Sequence, residues 1–272
     1  MSAVREVVVS GAFDDIRCRD LRFLQEASKL GKLTVLLWRD DSVLEFTGKT
    51  SKFPLAERKY LLDANRFVNK VHIAELHFNP DELPAGLQAD VWADCASIAS
   101  APRQAFCKAR NVEYHRFRAE ELDGFPEIPP SAPIQNRKKV IVTGCFDWLH
   151  SGHVRFFEEV AGYGDLIVVI GHDANIKLLK GEGHPMQPQD ERRYAVASVK
   201  YVNQAIISSG HGWLDAEPEI QNLKPDIYVV NDDGDHPSKR EYCQANGISY
   251  VVLRRTPAKG LSRRSSTDLR GF

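Results

Sequence analysis

Residues 140–160 read Val140-Ile141-Val142-Thr143-Gly144-Cys145-Phe146-Asp147-Trp148-Leu149-His150-Ser151-Gly152-His153-Val154-Arg155-Phe156-Phe157-Glu158-Glu159-Val160, and the change of period within them decides the fold. The run 140–143 is short and β-branched, as a buried strand is, and it stops at Gly144. Beyond the turn, Val154, Phe157, Val160 and Ala161 recur at helical spacing, so the segment reads strand, loop, helix. A loop that opens a helix offers unsatisfied backbone N–H groups and the positive end of the helix dipole, which suits a phosphate. His150 and His153 stand at that point with Gly152 between them, where no Cβ keeps backbone or ligand away. A single histidine beside a helix start is ordinarily a cap or surface decoration. Two of them in H-x-G-H after a hydrophobic strand make a longer, ordered pattern.

The same strand and turn occur earlier in the chain. Val7-Val8-Val9-Ser10-Gly11-Ala12-Phe13-Asp14 matches 140–147 at a constant offset of 133, and Leu21, Leu24 and Ala27 answer Val154, Phe157 and Val160. The apolar face of the helix is therefore kept while the chemistry is not, because Arg17 stands in place of His150 and Asp20 in place of His153. The match continues through strands at 33–38 and 166–170, through Pro54–Arg58 and Pro188–Arg192, and through Arg66-Phe67-Val68-Asn69 and Lys200-Tyr201-Val202-Asn203. Strands alternating with helices at this spacing predict an α/β fold: two tandem Rossmann-like domains, each a parallel sheet with helices on both faces. The proline-rich stretch Gly124–Pro133 has neither period and reads as part of a linker. The expected organisation is a degenerate domain over 1–123, a linker over 124–137 and a catalytic domain over 138–272.

Composition narrows the possibilities. With 272 residues, 43% of them hydrophobic, the chain can bury a sizeable core. A net charge of −1 and a pI near 6.8 give no global signal for nucleic acid or a membrane surface, so phosphate chemistry would need local cations. Cys18, Cys95, Cys107, Cys145 and Cys243 are odd in number and form no C-x-x-C, which predicts reduced thiols in a cytoplasmic compartment and no structural metal site. No apolar run approaches membrane-spanning length and the first strand begins almost at once, so a soluble, unprocessed protein is expected.

The segment Gly144-Cys145-Phe146-Asp147-Trp148-Leu149-His150-Ser151-Gly152-His153 resembles the signature of the cytidylyltransferases and the heptose-phosphate adenylyltransferases within the nucleotidylyltransferase superfamily. Class I aminoacyl-tRNA synthetases carry a similar H-x-G-H, but the chain is short for one and shows no K-M-S-K-S equivalent. The resemblance implies an enzyme that joins a phosphate oxygen of one substrate to the α-phosphorus of a nucleoside triphosphate and expels pyrophosphate. That reaction is mostly positioning and charge neutralisation. It would need Mg²⁺ carried on the nucleotide phosphates and no protein-held metal. His150, His153 and Lys180 would be catalytic. Gly144, Cys145, Phe146, Asp147 and Gly152 would line the nucleotide site.

Lys180, in the glycine-rich stretch Lys180-Gly181-Glu182-Gly183-His184-Pro185, would bridge the phosphates of the two substrates; Thr47 holds that place in the first half. Arg192 reads equally as a phosphate contact or as one side of a structural ion pair, since Arg58 keeps it in the half without H-x-G-H. Asp232 and Asp233 follow the strand 227–230, where open α/β sheets bind ligands, and either could accept from the exocyclic amine of cytosine or adenine. Arg255-Thr256 and Ser265-Ser266-Thr267-Asp268-Leu269 resemble the two ends of the cytidylyltransferase closing motif, with a longer spacing between them. The aspartates lean toward CTP and the Lys180 stretch toward the heptose-phosphate enzymes. CMP transfer from CTP to a small phosphorylated alcohol is the leading expectation. ATP-dependent sugar-phosphate adenylyl transfer is the alternative, and a nucleotide-binding regulator without turnover is the reading from another class. The first half is expected to act as an in-chain partner, forming a pseudo-dimer with the second, with a further homo-oligomer left open.

Overall fold

The computed structural model describes residues 4–98 and 100–269. The chain divides into two compact units, Met1–Gly124 and Phe125–Phe272. The first runs β1 (Glu6–Gly11), α1 (Cys18–Ser28), β2 (Lys32–Leu37), α2 (Asp40–Thr47), α3 (Leu55–Asp63), β3 (Lys70–Ile73), β4 (Val91–Cys95), α4 (Ala101–Ala109) and β5 (Glu113–Phe117). The second runs β6 (Lys139–Gly144), α5 (Ser151–Val160), β7 (Asp165–Ile170), α6 (Asp173–Lys180), α7 (Gln189–Ala197), β8 (Gln204–Ile207), α8 (Glu217–Leu223), β9 (Ile227–Asn231), α9 (Pro237–Ala245), β10 (Ser249–Leu253) and the single turn α10 (Ser266–Leu269).

Among the described residues each unit holds one five-stranded, wholly parallel sheet. The orders are β3-β2-β1-β4-β5 and β8-β7-β6-β9-β10, the same topology twice. The sequence pattern explains why the strands are parallel and interior: β7 is buried at all six positions, as a strand covered on both faces must be. In the first unit Val7, Val9, Leu33, Val35, Val91 and Ala93 pack under Phe23, Leu24 and Ala27 of α1 and Leu62 of α3. Val8 and Leu36 point to the opposite face, with Ala74. In the second unit Tyr228 and Val230 pack with Ile220 of α8 and Cys243 of α9.

Two details show how closely the backbone is repeated. A side chain at Gly31 or Gly164, the return from helix to second strand, would collide with the carbonyl of Arg5 or Lys138 just before the first strand. Asn69 and Asn203 each clamp the start of the second strand, accepting from Leu33 N and Leu166 N at 2.8 Å. The proline-rich stretch carries no regular element and lies on the second unit, where Ser131 N donates to Asn203 O at 2.9 Å and Ile134 N to Asp165 Oδ2 at 3.0 Å. All five cysteines are free thiols. No helix among the described residues is long and apolar enough to cross a membrane.

Candidate active site

β6 continues outward through α5 to β7 on one side, while β9 continues through α9 to β10 on the other. The carboxyl ends of these adjacent strands therefore open a crevice where the chain direction switches, the place where open α/β sheets take ligands. A cavity of about 620 Å³ lies there. Gly144, Cys145, Phe146, Asp147, Gly152, His153, Lys180, Asp233, Arg255, Ser265 and Ser266, all singled out in the sequence, line it. His150, Arg192 and Asp232 do not. The side chain of Thr267 lies outside the described residues.

The helix start is organised by His150. Its backbone is extended (φ −142°), its Nδ1 accepts from Gly152 N at 3.1 Å, and its carbonyl accepts from His153 N at 3.0 Å. Two of the amides expected to await a phosphate are thus taken by the cap itself, so the imidazoles become the principal donors. With Nδ1 accepting, the neutral ring of His150 carries its proton on Nε2. His150 is 2% exposed and lies behind His153, the two rings stacked with centroids 3.9 Å apart. His153 is pressed edge-on against Phe146 at 5.3 Å. Desolvation holds the His153 pKa well below the usual imidazole value, and His150, Arg255 and Lys180 lower it further. At neutral pH the His153 ring is uncharged.

The loop 144–148 is fixed by two clamps that both units share. Asp147 accepts from Met186 N at 2.8 Å and Gln187 N at 3.0 Å; Asp14 accepts from Lys52 N at 2.6 Å and Phe53 N at 2.9 Å. Arg192, fully buried, donates to the carbonyls of Gln187 (2.9 Å), Cys145 (2.6 Å) and Gly171 (2.8 Å) and to Asp173 Oδ1 (2.7 Å). Arg58 makes the matching four bonds to Phe53 O, Ala12 O, Trp38 O and Asp40 Oδ1. The phosphate role considered for Arg192 therefore gives way to the structural one. The left-handed residues Phe146 (φ 51°) and Trp148 (φ 76°) also have counterparts in Phe13 (φ 45°) and Asp15 (φ 54°), so this strain belongs to the fold and not to the chemistry.

Lys180 is not in a loop: it ends α6, which is capped by Gly181, and its side chain reaches the cavity from there. Asp232 accepts from Asp233 N at 3.0 Å within a short turn. Asp233 forms an ion pair with Arg255, whose other amino group donates to Arg264 O at 3.3 Å. The closing segment reaches the helix start: a Cβ on Gly152 would lie 3.2 Å from Arg264 O, and Ser265 O accepts from Leu269 N at 3.2 Å to begin α10. The Cys145 thiol beside Lys180 has its pKa raised, chiefly by burial. Among the described residues no group of three or more His, Cys, Asp or Glu could hold a metal ion.

Sequence reasoning missed Thr143, Phe156, His184, Asn231, Gly234 and Lys239, which also line the cavity. In the first unit the corresponding cavity, about 520 Å³, is lined by Arg19 in place of Gly152, Asp20 in place of His153 and Thr47 in place of Lys180. Asp20 accepts from Arg17 N at 2.8 Å at the helix start, and burial raises its pKa. A carboxylate at that point opposes phosphate binding.

Comparison with known proteins agrees with this geometry. Residues 141–272 match the family model described as "Cytidylyltransferase-like". The chain is 38% identical over 119 residues to a protein named FAD synthase from Ferroglobus placidus, covering 43% of this chain and 75% of that protein. A second FAD synthase, from Aciduliprofundum boonei, is 35% identical over 136 residues, covering 49% of this chain and 84% of that protein. The bifunctional protein HldE of Aliarcobacter butzleri is 44% identical over 104 residues, but this covers 38% of the chain and only 21% of HldE. The chain thus belongs to the cytidylyltransferase-like family of the nucleotidylyltransferase superfamily, and it is a nucleotidyltransferase.

Proposed function

We propose that the second unit transfers a nucleotidyl group from a nucleoside triphosphate to a small phosphorylated acceptor, releasing pyrophosphate. The observation that carries this reading is one cavity at the switch point lined jointly by His153, Lys180 and Arg255, drawn from three separate segments. Both reactants are anions, so the cavity must neutralise charge and align the acceptor oxygen with the α-phosphorus. The acceptor oxygen forms the new P–O bond as the bond to pyrophosphate breaks. No nucleophilic side chain is required. His153 donates to the transferred group as charge grows, His150 holds the His153 ring in place by stacking, and Lys180 spans the phosphates. Mg²⁺ held by the nucleotide phosphates would offset their charge; of the nearby carboxylates, Asp147 accepts from backbone N–H groups and Asp233 pairs with Arg255.

ATP is favoured as the nucleotide over the CTP expected from the sequence. Asp232 lies off the cavity lining and Asp233 is paired with Arg255, which weakens the case for a carboxylate waiting for a cytosine amine. Similarity to proteins named FAD synthase points the same way, since FAD carries an adenylyl group on a phosphate. CTP remains the second reading, on the description of the matching family. The test measures pyrophosphate release with ATP or CTP against flavin mononucleotide and a panel of sugar and alcohol phosphates; ATP-dependent release with one of them supports the first reading. CTP-dependent release without ATP-dependent release supports the second.

For the first unit we propose a supporting role as an in-chain partner, because the packing residues of the repeat are kept while Asp20 and Thr47 replace the phosphate-facing groups. Residues 125–272 expressed alone should then self-associate, aggregate or lose most activity. A stable, fully active monomer would refute the supporting role.

A further inference from the structure

The repeat provides an internal control for Lys239. Helices α4 and α9 correspond at an offset of 136, which pairs Arg103 with Lys239, Trp92 with Tyr228, Asp94 with Val230 and Tyr114 with Tyr250. In the first unit the buried cation is neutralised where it stands. Arg103 Nη1 donates to both Asp94 oxygens at 2.7 and 2.8 Å, Nη2 donates to Pro80 O at 2.8 Å, and the Tyr114 hydroxyl donates to Asp94 Oδ2 at 2.8 Å. The guanidinium lies 4.8 Å from the Trp92 ring centre.

In the second unit the cation is kept and its carboxylate is not. Val230 stands where Asp94 would be, and the Tyr250 hydroxyl instead donates to Asp235 Oδ1 at 3.0 Å. Lys239 is 7% exposed, with Gly234 O at 3.3 Å and the Tyr228 ring centre at 5.8 Å. No ion pair takes it among the described residues. Burial lowers its pKa, against the attraction of Asp215 and Asp235. An ammonium group this poorly compensated is costly to bury, and chains keep such groups where a ligand completes them. Lys239 lines the cavity beside Val230, Asn231 and Gly234, at the β9 end of the crevice, whereas His153 and Lys180 come from α5 and α6.

We propose that Lys239 Nζ is a phosphate-binding cation of this site, donating to an oxygen of a phosphorylated ligand. A phosphate fits better than a neutral base carbonyl, because three donors and a full charge match an oxyanion, while a carbonyl would leave the charge uncompensated. The phosphate belongs either to the nucleoside triphosphate or to the acceptor. This inference rests on the reading of the second unit as a nucleotidylyl-transfer site.

The test uses the full chain, with Lys239→Met as the apolar variant of similar length and Lys239→Arg as the conservative one. Titration calorimetry measures binding of ATP and CTP, then of inorganic phosphate at saturating nucleotide; the thermal midpoint is measured without ligand. Lys239→Met should weaken one of these ligands at least tenfold, Lys239→Arg should recover part of the loss, and the ligand-free midpoint of Lys239→Met should equal or exceed that of the wild type. Weakened nucleotide binding assigns the contact to the triphosphate, and weakened phosphate binding alone assigns it to the acceptor. Should Lys239→Met fail to fold, Lys239→Gln replaces it, and a failure of both to fold makes Lys239 structural and overturns the proposal. Wild-type affinity in the folded variant overturns this proposal and leaves the reading of the site intact. A wild type that binds none of the three ligands overturns both.

Discussion

Gly152→Ala should separate activity from stability, and the structure fixes both magnitudes. A Cβ at this position would sit 2.9 Å from His150 Cε1, 3.0 Å from His150 Nδ1 and 3.2 Å from Arg264 O. Ordinary van der Waals contact begins near 3.4 Å, so the His150 ring must retreat by roughly half an ångström or turn, loosening its bond to Gly152 N and its stack on His153. Losing the cap costs about 1 kcal/mol. Replacing glycine by alanine inside a helix returns up to about 1 kcal/mol, less in the first turn. Net stability should therefore change by about 1 kcal/mol or less, while displacing the imidazoles by a fraction of an ångström should cut turnover roughly 10- to 100-fold. The assay pairs thermal unfolding with pyrophosphate release, using the nucleotide that supports turnover. Turnover within a factor of two of wild type would refute the placement of His150 and Gly152 in the catalytic geometry.

Three further outcomes follow from the same structure. Arg192→Met should destabilise the second unit by roughly 3 kcal/mol or more, because three carbonyls around a fully buried guanidinium lose a charged donor, and Arg58→Met should do the same in the first unit; chemical denaturation of each variant checks this. His153 titrates lower in the folded chain than in the unfolded one, so its contribution is neutral above about pH 6.5 and becomes destabilising as pH falls below that. Between about pH 6.5 and 5.5 wild type should lose roughly 1 kcal/mol that His153→Asn does not lose, as read from unfolding midpoints at each pH. Lys180→Ala should lower turnover at least tenfold without moving the unfolding midpoint, since Lys180 is an exposed helix end; an unchanged rate would remove it from the site.

Much of the fold was legible because the repeat makes every element visible twice. The β-branched runs, the glycine that stops each strand and the helical spacing of Val154, Phe157 and Val160 are local signals, and parallel pairing follows from their alternation. The clamps were not legible. Nothing in the neighbourhood of Asp147 or Arg192 says that their partners are backbone groups 39 to 47 residues away, although the retention of both in a half without H-x-G-H was the clue. The Asp233–Arg255 pair likewise joins two segments read separately, and the offset chosen by tertiary contact could not be derived from either. Lys239 was findable in principle: comparison of the halves shows the cation kept at Arg103 while Asp94 becomes Val230, a substitution that has a consequence only once both side chains are known to be buried.

The most direct measurement of the central claim follows phosphorus by ³¹P NMR while wild type and His153→Ala are incubated with ATP or CTP, Mg²⁺ and the acceptor panel. Pyrophosphate together with a new phosphoanhydride signal should appear only when an acceptor is present, at a rate reduced roughly two to three orders of magnitude in His153→Ala. Formation of the same product by His153→Ala at the wild-type rate, or its absence from wild type with every nucleotide and acceptor, would contradict that claim.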